Sequence, residues 1–253
     1  MVALQAHDLY LMPSQFFPNV GSKITIGFHV GDSFPESEVS GRIDRLKDAQ
    51  IQGVKGKTIM TNLRIDGKRD AADVVVRSKG NLIASVHTVP NFIELEPAKF
   101  GEYLKEEGLA DVVAWREANG ESGKPGKERY SKYAKSLLLS GTPDEFFKHQ
   151  VGFIIEIIPE VDPSTLAAGA ALPIQVLFRG KPAVDMQIET AWAGTGGQKT
   201  LVVGRTGADG RLSIPLTSAG KWRIHTIKME RCADQTAANW ESFWASLTFE
   251  LRK

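Results

Sequence analysis

Five histidines, His7, His29, His87, His149 and His225, are the side chains of this sequence best suited to hold a transition metal. No two of them lie three or four positions apart, the spacing that sets two imidazoles on one helix face in a motif such as His-Glu-x-x-His. Any metal centre must therefore be assembled across the fold. His7 stands apart from the rest. The stretch Met1-Val-Ala-Leu-Gln-Ala6 reads as the tail of a secretory signal, with apolar and small residues before a cut. Cleavage after Ala6 would leave His7 with a free amine and an imidazole on one residue, a pair that chelates late first-row divalent ions. The candidate ligands are His7, Asp8, His87 and His225. A plainer reading makes His7 the opening of a first strand, His7-Asp-Leu-Tyr-Leu-Met12.

Other chemistry-bearing patterns fail on inspection. Gly53-Val-Lys-Gly-Lys-Thr58 imitates the end of a phosphate-binding loop, but Ile51 stands where the first glycine is required. Gly194-Thr-Gly-Gly-Gln-Lys199 lacks the Gly-Lys pair and lies between strands, which makes it a hairpin loop. In Gly120-Glu-Ser-Gly123 the last glycine of a nucleophile elbow is replaced by Lys124, and a loop precedes it. Glu94 and Glu96 alternate around Leu95 as solvent-facing residues do. The single cysteine, Cys232, excludes an internal disulfide and any Cys-rich zinc site. The expectation is a protein that binds but does not catalyse.

The bulk numbers agree with a folded chain that avoids polyanions. Thirty-one basic against thirty acidic residues leave a net charge of +1 in 253 residues, and the charges are well mixed, which argues against nucleic acid as a partner. No apolar run reaches the roughly 18 residues of a membrane span.

The elements that must position these residues are mostly strands. Lys23-Ile-Thr-Ile-Gly-Phe-His-Val30 alternates polar and apolar residues, the signature of a half-buried strand. Short strands follow at 51–53, 58–65, 73–77 and 82–86, so residues 7–93 read as a β-sandwich. Pro97 opens a helix that Gly108 closes, a second runs from Ala110 to Ala118, and Glu128 to Leu139 is expected to be a third; residues 94–150 read as a helical insert. From 151 to 253 a further set of strands predicts a C-terminal sandwich, with tight turns at Gly180-Lys-Pro182 and Asp209-Gly210. The expected fold is mainly β: two β-sandwich domains, Ig-like or transthyretin-like, around about three helices.

Gly180 to Ile188, Thr206 to Ile214 and Gly220-Lys-Trp-Arg-Ile224 resemble transthyretin-like and carboxypeptidase-regulatory-like modules, which bind or space. With Trp192, Trp222, Trp240 and Trp244, that resemblance implies an alternative, a structural or carbohydrate-binding extracytoplasmic module without metal.

A wider resemblance spans nearly the whole chain. It is carried by Ala6-His-Asp-Leu-Tyr-Leu-Met-Pro13, Phe92-Ile-Glu-Leu95, Lys99-Phe-Gly-Glu-Tyr-Leu-Lys-Glu-Glu-Gly108, Glu128-Arg-Tyr-Ser-Lys-Tyr-Ala-Lys135, Glu156-Ile-Ile-Pro159 and Asn239-Trp-Glu-Ser-Phe-Trp-Ala-Ser-Leu-Thr-Phe249. These blocks are similar to the bacterial domain-of-unknown-function family 4198, linked with periplasmic components of nickel uptake. The resemblance implies a periplasmic or secreted protein whose signal peptide is removed before or near His7. It also implies nickel or another divalent transition metal as ligand, and a membrane metal transporter as partner. Members often carry a His-Met pair in the strand after the Gly-x-Trp turn. Here Lys228 and Met229 stand in that place, with His225 three residues earlier.

Overall fold

The structure is a computed structural model and describes residues 7–40 and 42–252. The signal-peptide reading of residues 1–6 lies outside the described residues. In chain order the elements are β1 (Leu9–Pro13), β2 (Lys23–Val30), β3 (Leu46–Gly53), β4 (Gly56–Ile59), β5 (Arg64–Asp66), β6 (Arg69–Val75), β7 (Gly80–Thr88) and β8 (Asn91–Leu95). Two helices follow, α1 (Pro97–Glu106) and α2 (Ala110–Ala118). The strands then resume with β9 (Gly126–Ser140), β10 (Ile155–Pro159), β11 (Ala171–Phe178), β12 (Lys181–Pro182), β13 (Gln187–Gly194), β14 (Gly197–Arg205), β15 (Arg211–Pro215), β16 (Gly220–Arg231) and β17 (Trp240–Leu251). No described helix is long and apolar enough to cross a membrane.

One nine-stranded sheet, ordered β14-β13-β16-β17-β9-β7-β3-β4 with β8 also on β9, runs through the middle of the molecule. A four-stranded sheet, β1-β2-β6-β5, covers part of one face through Leu11, Ile26 and Phe28, which pack with Ala84, Ala134 and Leu138 of the central sheet. Helices α1 and α2 cover the rest of that face, where Phe100, Leu104 and Val112 meet Ile227, Trp240 and Trp244. The opposite face takes the sheet of β10, β11, β12 and β15, through Ile157, Ile174 and Ile214 against Ile224, Leu247 and Phe249. Side chains alternate across the central strands with period two. On β17 Ser242, Trp244, Ser246 and Thr248 face β1 and the helices, while Phe243, Ala245, Leu247 and Phe249 face the other way.

The expected third helix is a strand. Glu128 to Leu139 lies within β9, which pairs antiparallel with β7 and parallel with β17. The misreading has a physical cause. A strand buried on both faces shows no apolar-polar alternation, and the lysines at 132 and 135, which ordinarily mark a solvated side, are 8% and 2% exposed. The supposed insert thus supplies the strand that joins the two halves, because β7, β9 and β17 come from the three expected segments and share one sheet. Boundaries at 93/94 and 150/151 do not separate hydrogen-bonded units. Two smaller differences accompany this: the expected strand 58–65 is divided between β4 and β5, and β8 adds a strand before the helices. The Asp209-Gly210 turn is as expected. Gly210 has φ +73°, and a Cβ there would lie 2.7 Å from the Val176 carbonyl, so the position requires glycine.

Lys135 tests this arrangement directly. Its ammonium sits 2.8 Å from Glu156, both side chains nearly inaccessible, and Glu156 also accepts from the Val151 and Gly152 amides. Removing one partner of a buried pair leaves an uncompensated charge. Lys135→Met is expected to destabilise the fold by about 3 kcal/mol in urea denaturation, and adding Glu156→Gln to recover part of it. A loss within about 0.5 kcal/mol, typical of a solvated helix face, would contradict the buried strand.

Candidate functional site

His7 enters the site through the β1–β2 pairing. The register Leu9↔Val30 places the residues just before β1 beside those just after β2, and the Gly31 amide donates to the Asp8 carbonyl at 3.1 Å. His7 therefore faces the loop 31–38. Its Nδ1 lies 2.9 Å from Oδ2 of Asp32 and 3.7 Å from Oε2 of Glu38. One donor atom from each of the three falls within 4.8 Å of the others, the separation of ligands around a single ion. The loop orients Glu38. Oε1 of Glu38 accepts from the Asp32 and Ser33 amides at 3.2 and 3.0 Å, which leaves Oε2 turned to the imidazole. Hydrogen bonding from Ser33, opposed by slight desolvation and helped by the Asp32 amide and His7, holds the Glu38 carboxyl below its ordinary range. The Asp32 side chain is 58% exposed and that of His7 23%, so an ion here would keep positions open to water or to an exchanging ligand.

Asp8 points the other way, into the molecule. Its carboxylate meets Nη1 of Arg223 at 2.7 Å and Nδ1 of His225 at 3.2 Å, and all three are buried. Nε2 of His225 lies 3.3 Å from Glu107, at the end of α1, and Nη2 of Arg223 pairs with Glu189 at 2.9 Å. Burial alone would lower the His225 pKa; the Asp8 and Glu107 carboxylates outweigh it, and the net shift is upward. Lys132 completes the anchorage by donating to the His7 carbonyl. Its ammonium lies 5.3 Å from the ring centroids of Tyr130 and Trp244, and desolvation brings its pKa down to about 8.

Of the four ligands expected from the sequence, only His7 joins the donor cluster. Asp8 and His225 are held in ion pairs behind it. His87 lies on the opposite face of the central sheet, its ring stacked on Tyr133 and edge-on to Phe153, with Asp48 at 3.7 Å. The cause is the period-two pleat together with strand order, since β9 and β17 stand between β7 and β16. Asp32 and Glu38 escaped sequence reasoning, although a hairpin of the two recognised strands would have brought the acidic run after Val30 to His7. The glycine-rich stretch 194–199 is the β13–β14 hairpin, as expected. Trp222, Trp240 and Trp244 are buried and cannot stack on a sugar; Trp192 is half-buried and donates to the Ala219 carbonyl at 3.0 Å.

A second buried carboxyl lies under α1. Glu128, 1% exposed, accepts from the Tyr103 hydroxyl at 3.0 Å and from Ser242, whose oxygen in turn accepts from Trp244 Nε1 at 2.9 Å. Desolvation raises the Glu128 pKa to about 7, although Ser242 and Tyr103 oppose the shift. An acid whose folded pKa lies above its unfolded value holds a proton that the unfolded chain releases, so its contribution falls as pH rises from about 4.5 to about 7. Glu128→Gln keeps the acceptor oxygen and removes the charge. The variant is expected to be more stable than the parent at pH 8, by about 3 kcal/mol at most, and equal to it at pH 4. Thermal unfolding across that range checks it; a variant less stable at pH 8 would contradict the buried, strained carboxylate.

Comparison with known proteins adds membership and little more. Among solved structures the chain is similar to the D0-D1 domain of intimin, at 12% identity and TM-score 0.22, covering 97% of this chain and 98% of that one. Three N-terminal domains of the highly immunogenic outer capsid protein of bacteriophage RB49 align at 11% identity and TM-score 0.20, over 96% of this chain and 59% of that one. A variant of Salmonella alpha-2-macroglobulin aligns at 9% and 0.25, over 98% and 16%. Superpositions this loose carry no argument about fold or function. No curated protein matches the sequence. The model of a family described as a domain of unknown function (DUF4198) matches residues 4–230, nearly the whole chain including His7, Asp32, Glu38 and the buried residues behind them, and the chain belongs to that family.

Proposed function

We infer that this protein is an extracytoplasmic binding or accessory protein that takes a divalent transition metal at His7, Asp32 and Glu38, hands it on, and catalyses nothing. The observation that carries this reading is the convergence of one imidazole nitrogen and two carboxylates within 4.8 Å. A nitrogen donor with two oxygen donors suits nickel, cobalt, zinc or copper better than magnesium or calcium, which prefer oxygen alone. Three ligands, one of them exposed, leave part of the coordination sphere to water or to a receiving protein. If processing exposes His7, its amine adds a second nitrogen. Delivery to a membrane metal transporter is the role that fits such an open site, and the periplasm the compartment; both rest on the blocks of sequence likeness set out above.

Isothermal titration with cobalt, nickel and copper provides the test, on the full chain and on a chain that begins at His7. Affinity is expected to rise from cobalt through nickel to copper. The pair Asp32→Asn and Glu38→Gln is expected to weaken nickel binding at least about tenfold, roughly 1.4 kcal/mol. Nickel binding no tighter than about millimolar, or unaffected by that pair, removes the metal assignment.

A further inference from the structure

At the far end of the polar row on β16, Lys221 opens onto a cleft. The cleft has a volume of about 540 Å³, within the roughly 300–1,000 Å³ of small-molecule sites. Three strand ends form it, the close of β13, the start of β16 and the close of β17, and Phe17 and Pro35 from the loops after β1 and β2 wall it on the other side. Glycine lets these strand ends approach closely. A Cβ on Gly194 would come within 2.7 Å of the Ala219 carbonyl and of the Trp192 ring, and one on Gly220 within 2.5 Å of the Ala193 carbonyl. The wall there is bare backbone.

Charge decides what could enter. Lys221 and Glu250 are direct cross-strand partners, a position at which opposite charges ordinarily join. Among the described residues they form no ion pair with each other. Arg252 extends over Phe17, its guanidinium carbon 3.6 Å from the ring centroid, which fixes the charge at the rim. Among the described lining residues, two cations and one carboxylate leave a net positive charge of one. A single carboxylate balances that charge, whereas a phosphate dianion exceeds it. The apolar surface of Phe17, Pro35 and the alanines on either side suits a hydrocarbon body.

We propose that this cleft binds a small monocarboxylate with an apolar body, held by Lys221 and Arg252 over Phe17. The inference does not depend on the metal reading, since none of the three metal-site residues lines the cleft. Phenylacetate and its neutral counterpart phenylacetamide are the probes, titrated into the ¹⁵N-labelled full chain and followed by amide chemical shifts. Phenylacetate is expected to shift the amides of 193–195 and 219–221 with a dissociation constant below about 10 mM, and phenylacetamide at least about tenfold more weakly. The double variant Lys221→Met, Arg252→Met is expected to lose about tenfold in affinity, and Glu250→Gln to gain a few-fold by removing the like charge. Equal binding of acid and amide, shifts that map elsewhere, no saturation by about 10 mM, or a Glu250→Gln variant that binds more weakly would each overturn the assignment.

Discussion

The first strand is tied to the central sheet by a carboxylate buried between a guanidinium and an imidazole. Asp8 has left water for Arg223 and His225, and such a transfer is tolerable only when the partners compensate the lost hydration. Much else follows from that contact. It sets the depth at which β1 lies on the sheet, supported by Ser246 and Thr248, which donate to the Leu9 and Leu11 carbonyls at 2.7 and 2.6 Å. It also turns His7 outward, because consecutive residues of an extended chain point to opposite sides. The inward residue is committed to structure and the outward one is left available for ligation.

The same division runs along β16. Lys221, Arg223 and His225 alternate onto one face, and each meets a different setting: the open cleft, the buried Asp8 and the end of α1. Trp222, Ile224 and Thr226 fill the other face. A strand near the centre of a large sheet normally carries apolar residues on both sides. Here three basic side chains occupy one side: Arg223 and His225 are held by Asp8 just before β1, Glu189 on β13 and Glu107 at the end of α1, while Lys221 faces the cleft.

Strands with one wet face were readable from the sequence, and β2 coincides with its predicted span from Lys23 to Val30. The helices α1 and α2 were readable too, from Pro97 at the start of one and the glycines that stop both. β9 was not, because its polar residues are buried and answered by partners far away in sequence, Glu156 and the His7 carbonyl. The candidate site was half legible for a related reason. His7 stood out because the residues before it read as the tail of a secretory signal, whereas the choice of Asp32 and Glu38 over Asp8, His87 and His225 depends on register and on which face of the pleat each residue occupies. Residue type and spacing carry neither.

The parallel pairing of β17 with β9 joins residues more than a hundred positions apart. β17 lies between β16 and β9, so until it arrives neither neighbour has its hydrogen-bonding partner on that side. Order therefore propagates from β17 back to β9 and β16. A polypeptide emerging from a ribosome, amino end first, holds the strands of its central sheet in waiting, and non-local pairing of this kind makes for slow folding. The central sheet therefore becomes rigid only once β17 is free to pair with a strand more than a hundred residues before it.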